Sequence, residues 1–112
     1  MNRRSLGILF AIGFAVALTP RLAMAEAHLA ESISHTKEAI DEGKQGHAKE
    51  LTTHAEAALK HAKAAEKAKD NQHTKEGITH LKAAIAEGKK KHADAATGHA
   101  EEALTHLEQA TQ

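Results

Sequence analysis

Residues 28–61 read HLAESISHTKEAIDEGKQGHAKELTTHAEAALKH and contain five histidines, at positions 28, 35, 47, 54 and 61. The same spacing returns 45 residues later, at positions 73, 80, 92, 99 and 106, and these ten are all the histidines of the chain. A repeat of this length indicates one supersecondary unit used twice. Alanine, glutamate, lysine and leucine, which are strong helix formers, dominate both copies. The unit is therefore predicted to be a helical hairpin.

Glycine and an Asp-Asn pair interrupt the helical pattern at three points. These breaks lie at Gly43–Gly46, Asp70–Asn71 and Gly88–Lys91. Between them we predict four helices, at about 27–42, 47–69, 73–87 and 92–110. Apolar residues recur at steps of three and four within each helix, which is typical of a buried face. Because the connections are short, the predicted fold is all-α, an up-down-up-down four-helix bundle built from two repeated helical hairpins.

The N-terminal residues have the composition of a secretory signal peptide. Two arginines precede an apolar run at positions 6–18, and Ala23-Met24-Ala25 fits a small-x-small cleavage site. The run is about 13 residues long, which is short of the ~20 that a membrane-spanning helix needs. We therefore expect residues 1–25 to be removed after Ala25 and residues 26–112 to function in the periplasm. An uncleaved membrane anchor is the alternative.

The composition of residues 26–112 limits the classes of partner and of stabilising interaction. Twelve lysines and fifteen acidic residues give this part of the chain a formal charge of −3 with neutral histidine. That balance argues against nucleic acid as a partner, since such proteins carry a basic surface. The segment has no cysteine and no Phe, Tyr, Trp or Met, so its apolar core is thin and no disulfide reinforces it.

The histidines fall at matching heights when each hairpin is folded about its turn. A step of seven residues is two helical turns, a rise of about 10.5 Å. In the first hairpin the level pairs are His28 with His61, His35 with His54, and Glu42 with His47. In the second they are His73 with His106, His80 with His99, and Glu87 with His92. Each hairpin is therefore predicted to carry three layers of paired side chains.

Carboxylates stand beside these histidines in the pattern H-x-x-E-x-x-x-H, which occurs four times. Residues three and four apart are neighbours on a helix surface, and imidazole nitrogen with carboxylate oxygen suits divalent Cu, Ni and Zn. A lone histidine is usually a solvated surface residue, but that reading does not explain ten in phase. The predicted metal ligands are His28, His35, His47, His54, His61, His73, His80, His92, His99, His106, Glu31, Glu42, Glu50, Glu76, Glu87 and Glu102.

The types of ligand also predict which metal ions should bind most tightly. By the order of divalent affinities, Cu(II) should bind tightest to nitrogen and oxygen sites, followed by Ni(II) or Zn(II). Without Cys or Met in residues 26–112, capture of Cu(I) is not favoured. Binding should weaken as the pH falls through about 6.5, because a protonated imidazole cannot bind a metal.

Four classes of function fit a histidine-rich bundle to different degrees. Several similar sites favour metal sequestration, buffering or tolerance without catalysis, which needs one shaped pocket. A di-iron oxidase would need Glu-x-x-His motifs, and none occurs. A haem protein with covalent attachment would need C-x-x-C-H, and the chain has no cysteine. A structural or chaperone-like periplasmic bundle without a specific metal role is the remaining alternative.

Residues 28–110 resemble the small metal-binding protein family, which consists of exported, histidine-rich four-helix bundles. The resemblance rests on the turn Gly43-Lys44-Gln45-Gly46-His47, on His35-Thr36, His54-Ala55 and His61-Ala62-Lys63-Ala64, and on His80-Leu81, His92, His99-Ala100 and His106-Leu107. It implies a periplasmic monomer that binds several transition-metal ions, copper prominently, and has no membrane contact after cleavage. Such proteins are expected to carry further histidines in the tail, and Gln109–Gln112 has none.

Overall fold

Four α-helices are present in the structure, a computed structural model that describes residues 19–112. They are α1 (Pro20–Lys44), α2 (Ala48–Ala68), α3 (Gln72–Lys89) and α4 (Ala93–Gln109). Each helix packs against its neighbours in chain order, and α4 closes the ring against α1. This arrangement confirms the predicted up-down-up-down four-helix bundle, in which α1 and α2 form the first hairpin and α3 and α4 the second.

The first helix begins earlier than predicted. Thr19 is its N-cap, with a side-chain oxygen that accepts from Leu22 N at 3.2 Å, and Pro20 occupies the first helical position. Both residue types favour a helix start there, so the predicted start near residue 27 is wrong by about two turns. Positions 1–18 of the expected signal peptide lie outside the described residues, whereas Pro20–Ala25 form the first turns of α1. The remaining helix ends lie within two residues of their predicted positions.

The core is built mainly from alanine with a few larger aliphatic residues. Leu51, Leu81 and Leu107 are the largest fully buried side chains. Six alanines on the predicted apolar faces of α2 and α4 are fully buried: Ala55, Ala58, Ala62, Ala96, Ala100 and Ala103. These small side chains let α2 and α4 touch across the diagonal of the bundle. Within residues 19–112, no helix has both the length and the apolar character needed to cross a membrane.

Several contacts between the hairpins have an equivalent contact in which each residue is shifted by 45 positions. Lys44 Nζ lies 3.9 Å from Glu101 Oε2, and Lys89 Nζ lies 3.7 Å from Glu56 Oε2. Close packing follows the same rule, because Gly43 faces Thr97 and Gly88 faces Thr52. The two hairpins therefore meet through approximately twofold-related surfaces, as two copies do in an isologous interface.

This packing also fixes where the two outer seams lie. The α2–α3 and α4–α1 contacts join the hairpins, so the α1–α2 and α3–α4 seams are opposite sides of the bundle. We call them the first seam and the second seam. Their inward sides are filled by the core, and their outward sides are open to solvent. The ten histidines are distributed along these two seams and their turns.

Candidate metal centres

Each tight turn between paired helices holds one histidine and one glutamate together. The carbonyl of Glu42 accepts from Gln45 N and His47 N, which folds the chain back on itself. His47 Nδ1 then lies 2.7 Å from Glu42 Oε1. The equivalent atoms of His92 and Glu87 lie 2.8 Å apart. Each pair offers two possible ligand atoms at the exposed end of a seam.

The hydrogen bond from His92 holds the pKa of the Glu87 carboxyl below its ordinary value. Burial acts in the opposite direction, and the positive charge of Lys90 reinforces the lowering. A lowered pKa favours the ionised form of the Glu87 carboxyl. An anionic oxygen beside an imidazole nitrogen is the donor combination that divalent transition metals prefer.

A carboxylate bridges two histidines at the middle of the first seam. Glu38 Oε1 lies 3.1 Å from His35 Nδ1 on its own helix and 3.4 Å from His54 Nδ1 on α2. The two rings stack with centroids 6.0 Å apart. Because α1 and α2 are antiparallel and close, three ligand atoms from two helices converge on one point. His35 and His54 are one of the pairs that the sequence predicts to lie at the same height in the first hairpin.

Two more bridges of the same kind lie on the second seam. Glu102 Oε1 is 3.4 Å from both His80 Nδ1 and His99 Nδ1. One layer further along, Glu76 Oε1 is 3.2 Å from His106 Nδ1 and 3.6 Å from His73 Nδ1. In each layer one carboxylate oxygen stands between two imidazoles that belong to different helices. The second hairpin thus has two separate groups of three ligand atoms.

The remaining layer of the first seam is arranged differently. His28 Nδ1 and His61 Nδ1 are hydrogen-bonded to each other at 3.0 Å. Glu31 lies beside this pair and forms a group with His35 and His61 in which the ligand atoms all lie within 4.8 Å of one another. His35 is therefore a member of two groups, this one and the Glu38-bridged one.

The imidazole rings form a continuous ladder along each seam. On the first seam the order is His28, His61, His35 and His54, with centroids separated by 5.2, 5.8 and 6.0 Å. On the second seam it is His73, His106, His80 and His99, with separations of 6.0, 5.4 and 6.3 Å. Along each ladder, successive rings belong alternately to the two helices of the hairpin. The histidines of one group are therefore direct neighbours of those in the next group.

Three imidazole nitrogens in these groups lack hydrogen-bond partners among residues 19–112. They are the buried Nδ1 atoms of His35, His99 and His106. Carboxylate oxygens lie 3.1, 3.4 and 3.2 Å from them, but none is positioned to complete a hydrogen bond. A buried polar atom without a partner is costly. A cation held between the nitrogen and the oxygen would satisfy both atoms at once.

Ten of the sixteen predicted ligands lie in the four groups of three, five more lie in the contacts His28–His61, Glu42–His47 and Glu87–His92, and one lies in neither. Every histidine has a cross-helix or cross-turn partner, and five of the six predicted glutamates lie beside histidines. Glu50 is exposed and joins neither a ligand group nor an ion pair within the described residues.

Glu38 is a candidate ligand that the sequence pattern missed. It follows His35 by three residues, but position 42 is a glutamate, so it does not fit H-x-x-E-x-x-x-H. Its counterpart 45 residues later is Ala83, so comparison of the two copies does not reveal it either. The spacing His-x-x-Glu alone would have found it, because Glu31, Glu76 and Glu102 share that spacing.

Comparison with known proteins agrees with this geometry. The model of the family described as small metal-binding protein matches residues 3–110, which include both hairpins and all four groups. No curated protein shows a significant match to the chain. The family match spans nearly the whole sequence, and the groups of histidine and glutamate are of the kind that holds a metal ion. The chain belongs to the small metal-binding protein family.

Proposed function

We propose that this protein binds several divalent transition-metal ions, Cu(II) before Ni(II) and Zn(II), and thereby sequesters or buffers them. The observation that carries the proposal is the set of three bridges in which one carboxylate oxygen lies between two imidazoles of different helices. Bonds from a metal to nitrogen or oxygen are about 2.0–2.2 Å long, so two ligand atoms on one ion are at most about 4 Å apart. The nitrogen–oxygen distances of 3.1–3.6 Å in the bridges fit that limit.

The preference for Cu(II) follows from the donors and from the openness of the seams. Two imidazole nitrogens and one carboxylate oxygen leave coordination positions for water, which suits the tetragonal nitrogen and oxygen environments of Cu(II). Side chains such as those of His54 and His99 remain about one third exposed, at 32% and 37%. Ions can therefore enter from solvent without any opening of the bundle.

A storage or buffering role fits these sites better than catalysis does. The three bridges are chemically alike and are spread over opposite sides of the bundle, whereas a catalytic centre concentrates its groups in one enclosed pocket. The family to which the chain belongs is described by metal binding. The function proposed here is therefore non-catalytic, and its cellular outcome is metal tolerance or homeostasis.

Export to the periplasm is the second part of the proposal. Cleavage after Ala25 would remove Pro20–Ala25, so α1 would start near Glu26 in the mature protein. That start keeps His28 and every ligand after it. Mass spectrometry of the protein isolated from a periplasmic fraction should give a mass that begins at Glu26. An intact N-terminus in the membrane fraction would support the anchor instead.

A metal titration with stoichiometry tests the central claim. Purified protein is dialysed to equilibrium against Cu(II), Ni(II) or Zn(II), and bound metal is counted per chain. We expect more than one tightly bound Cu(II), with weaker binding of the other two. Fewer than one tight ion per chain would contradict the proposal and favour a purely structural bundle. A variant in which His35, His54, His80, His99, His73 and His106 are all changed to glutamine is the control, and it should bind metal only weakly.

A further inference from the structure

We infer that the two hairpins hold metal in different ways, and the inference rests on the metal-binding function proposed above. The first hairpin offers two overlapping groups that share His35, so only one of them is filled at a time. The second hairpin offers two groups with no common member, and both are filled together. The chain would then hold three tight ions, one on the first seam and two on the second.

The second seam provides the separate groups. One consists of His73, Glu76 and His106, and the other of His80, His99 and Glu102. Each has its own carboxylate, which already lies between its two histidines. An ion in one group takes no ligand from the other, so the affinities of the two sites are not limited by competition for a side chain.

The first seam lacks this separation because both of its groups need His35. They are Glu31/His35/His61 and His35/Glu38/His54. A neutral imidazole has one ring nitrogen with a free lone pair. An ion that takes this lone pair in the Glu38 layer leaves Glu31, His61 and His28 for the next layer. These three do not form a group whose ligand atoms all lie within 4.8 Å of one another, so a second ion would bind through two ligands.

A difference between equivalent residues explains why the seams diverge. Glu31 and Glu76 occupy the same position in the two copies of the repeat. On the second seam Glu76 reaches between His73 and His106, whose ring centroids are 6.0 Å apart. On the first seam His28 and His61 approach to 5.2 Å and hydrogen-bond directly. This contact closes the place for a carboxylate, and Glu31 joins His35 instead.

The overlap makes the first seam suited to exchange. An ion that loses its bond to His54 is still held by His35, and Glu31 and His61 are then available to it. The ion can therefore move one layer along the ladder through a partly coordinated state that is open to a competing ligand. On the second seam a leaving ion finds no such alternative group. The first seam is thus assigned to uptake and release, and the second to retention.

Counting tightly bound Cu(II) in equivalent variants of the two hairpins tests this assignment. The probe is Cu(II) alone, added to the full chain. His54→Ala and His61→Ala should each keep the wild-type number of tight ions, because either change leaves one group of the first seam intact. The double variant should lose one ion. The equivalent changes His99→Ala and His106→Ala should each lose one ion, and together two.

The outcomes separate this inference from the proposed function. Loss of one ion from each single variant of the first hairpin, as in the second, would overturn the inference while leaving metal binding intact. No loss from His99→Ala or His106→Ala would also overturn it. A wild-type chain without tight Cu(II) would overturn both. Helix content from circular dichroism checks that the variants fold, and His→Gln changes at the same positions, which keep side-chain size, provide a second series.

Discussion

Gly77 lies against Leu107 so closely that a Cβ on Gly77 would come within 2.8 Å of Leu107 Cδ2. In the first hairpin the equivalent residues, 45 positions earlier, are Ser32 and Ala62. There Ser32 is buried, and its hydroxyl donates to the carbonyl of Ala58 at 2.8 Å. The larger side chain of the pair is thus Ser32 on α1 in the first copy and Leu107 on α4 in the second. In the second copy Leu107 occupies space that a side chain at position 77 would need.

The packing at Gly77 predicts that Gly77→Ala destabilises the protein by about 1–3 kcal/mol, the usual cost of overpacking. This cost arises although alanine gains up to about 1 kcal/mol over glycine in helix propensity. Gly98 is the matched control, because it also lies in a helix and a Cβ there meets nothing within 4 Å. Gly98→Ala should therefore be stabilising. Urea unfolding of the two variants measures both effects.

Changing both Gly77 and Leu107 should cost less stability than the two single changes cost in total. Leu107→Ala alone leaves a cavity and should cost about 2–5 kcal/mol, since Leu107 is fully buried. In the double variant Gly77→Ala/Leu107→Ala, the added methyl group occupies part of that cavity. The loss should be at least about 1 kcal/mol smaller than the total of the single losses, a coupling typical of residues in contact. Additive losses would contradict this coupling.

The turn of the second hairpin predicts a stabilising substitution at Lys91. Lys91 has φ 66°, whereas its equivalent in the first turn is Gly46, with φ 81°. The left-handed conformation costs a non-glycine residue about 1–2 kcal/mol. Lys91→Gly should therefore stabilise the protein by roughly 1 kcal/mol in thermal unfolding. Lys90→Gly is the control: Lys90 has φ −87°, so it gains nothing from glycine and should lose stability.

The Glu87–His92 pair predicts a pH-dependent contribution to stability. Since the hydrogen bond from His92 lowers the pKa of Glu87 from its ordinary 4.5, the folded state binds this proton less readily than the unfolded state. The contribution is complete above the unfolded pKa and is lost as the pH falls through the lower folded value. Glu87→Gln should thus destabilise the metal-free protein at pH 6, and the difference from wild type should vanish at strongly acidic pH.

A second background checks the source of this effect. In His92→Ala the donor is missing, so Glu87→Gln should change stability much less at pH 6. Chemical denaturation at several pH values, with a chelator present to remove metal, gives the four free energies of the cycle. A Glu87→Gln effect that is the same with and without His92 would show that the hydrogen bond is not its cause.

The bridging carboxylates predict which acidic residues matter for metal affinity. Glu102 Oε1 lies 3.4 Å from two histidines that belong to no other group, so Glu102→Gln should weaken one Cu(II) site at least about tenfold, which corresponds to about 1.4 kcal/mol. Glu50→Gln is the matched control on α2, because Glu50 lies in none of the groups. Isothermal titration with Cu(II) would reveal the contrast. An equal effect at Glu50 would restore the ligand role predicted from its sequence spacing.

The fold was predictable because the sequence is locally consistent. Strong helix formers, periodic apolar residues and glycine turns all indicate the same elements, and the repeat makes the hairpins equivalent. The early start at Thr19-Pro20 was missed because residues 19–25 also have the composition expected before a cleavage site. In that region a targeting signal and a helix N-terminus overlap, and composition alone does not separate them.

The candidate site was predictable only in outline. Antiparallel helices and a spacing of seven fix which histidines lie level, such as His35 and His54. Rotamers decide the rest, and the sequence pattern does not determine them. His28 and His61 contact each other directly, whereas the equivalent His73 and His106 are bridged by a carboxylate. That choice depends on a small difference in the separation of the ring centroids, 5.2 Å in the first pair and 6.0 Å in the second, which helical spacing does not specify.

Metal binding should also stabilise the fold, because the bridges join different helices. A ligand that binds only the folded state at 100 times its Kd adds about 2.7 kcal/mol per independent site. Cu(II) should therefore raise the Tm at pH 7.5, and the increase should be lost near pH 5, where imidazoles are generally protonated and no longer bind metal. The variant His80→Gln/His99→Gln, which removes the Glu102 bridge, should show a smaller increase at pH 7.5 than wild type does. An increase that persists undiminished at pH 5 would indicate that carboxylates alone, and not the histidine ladders, hold the ions.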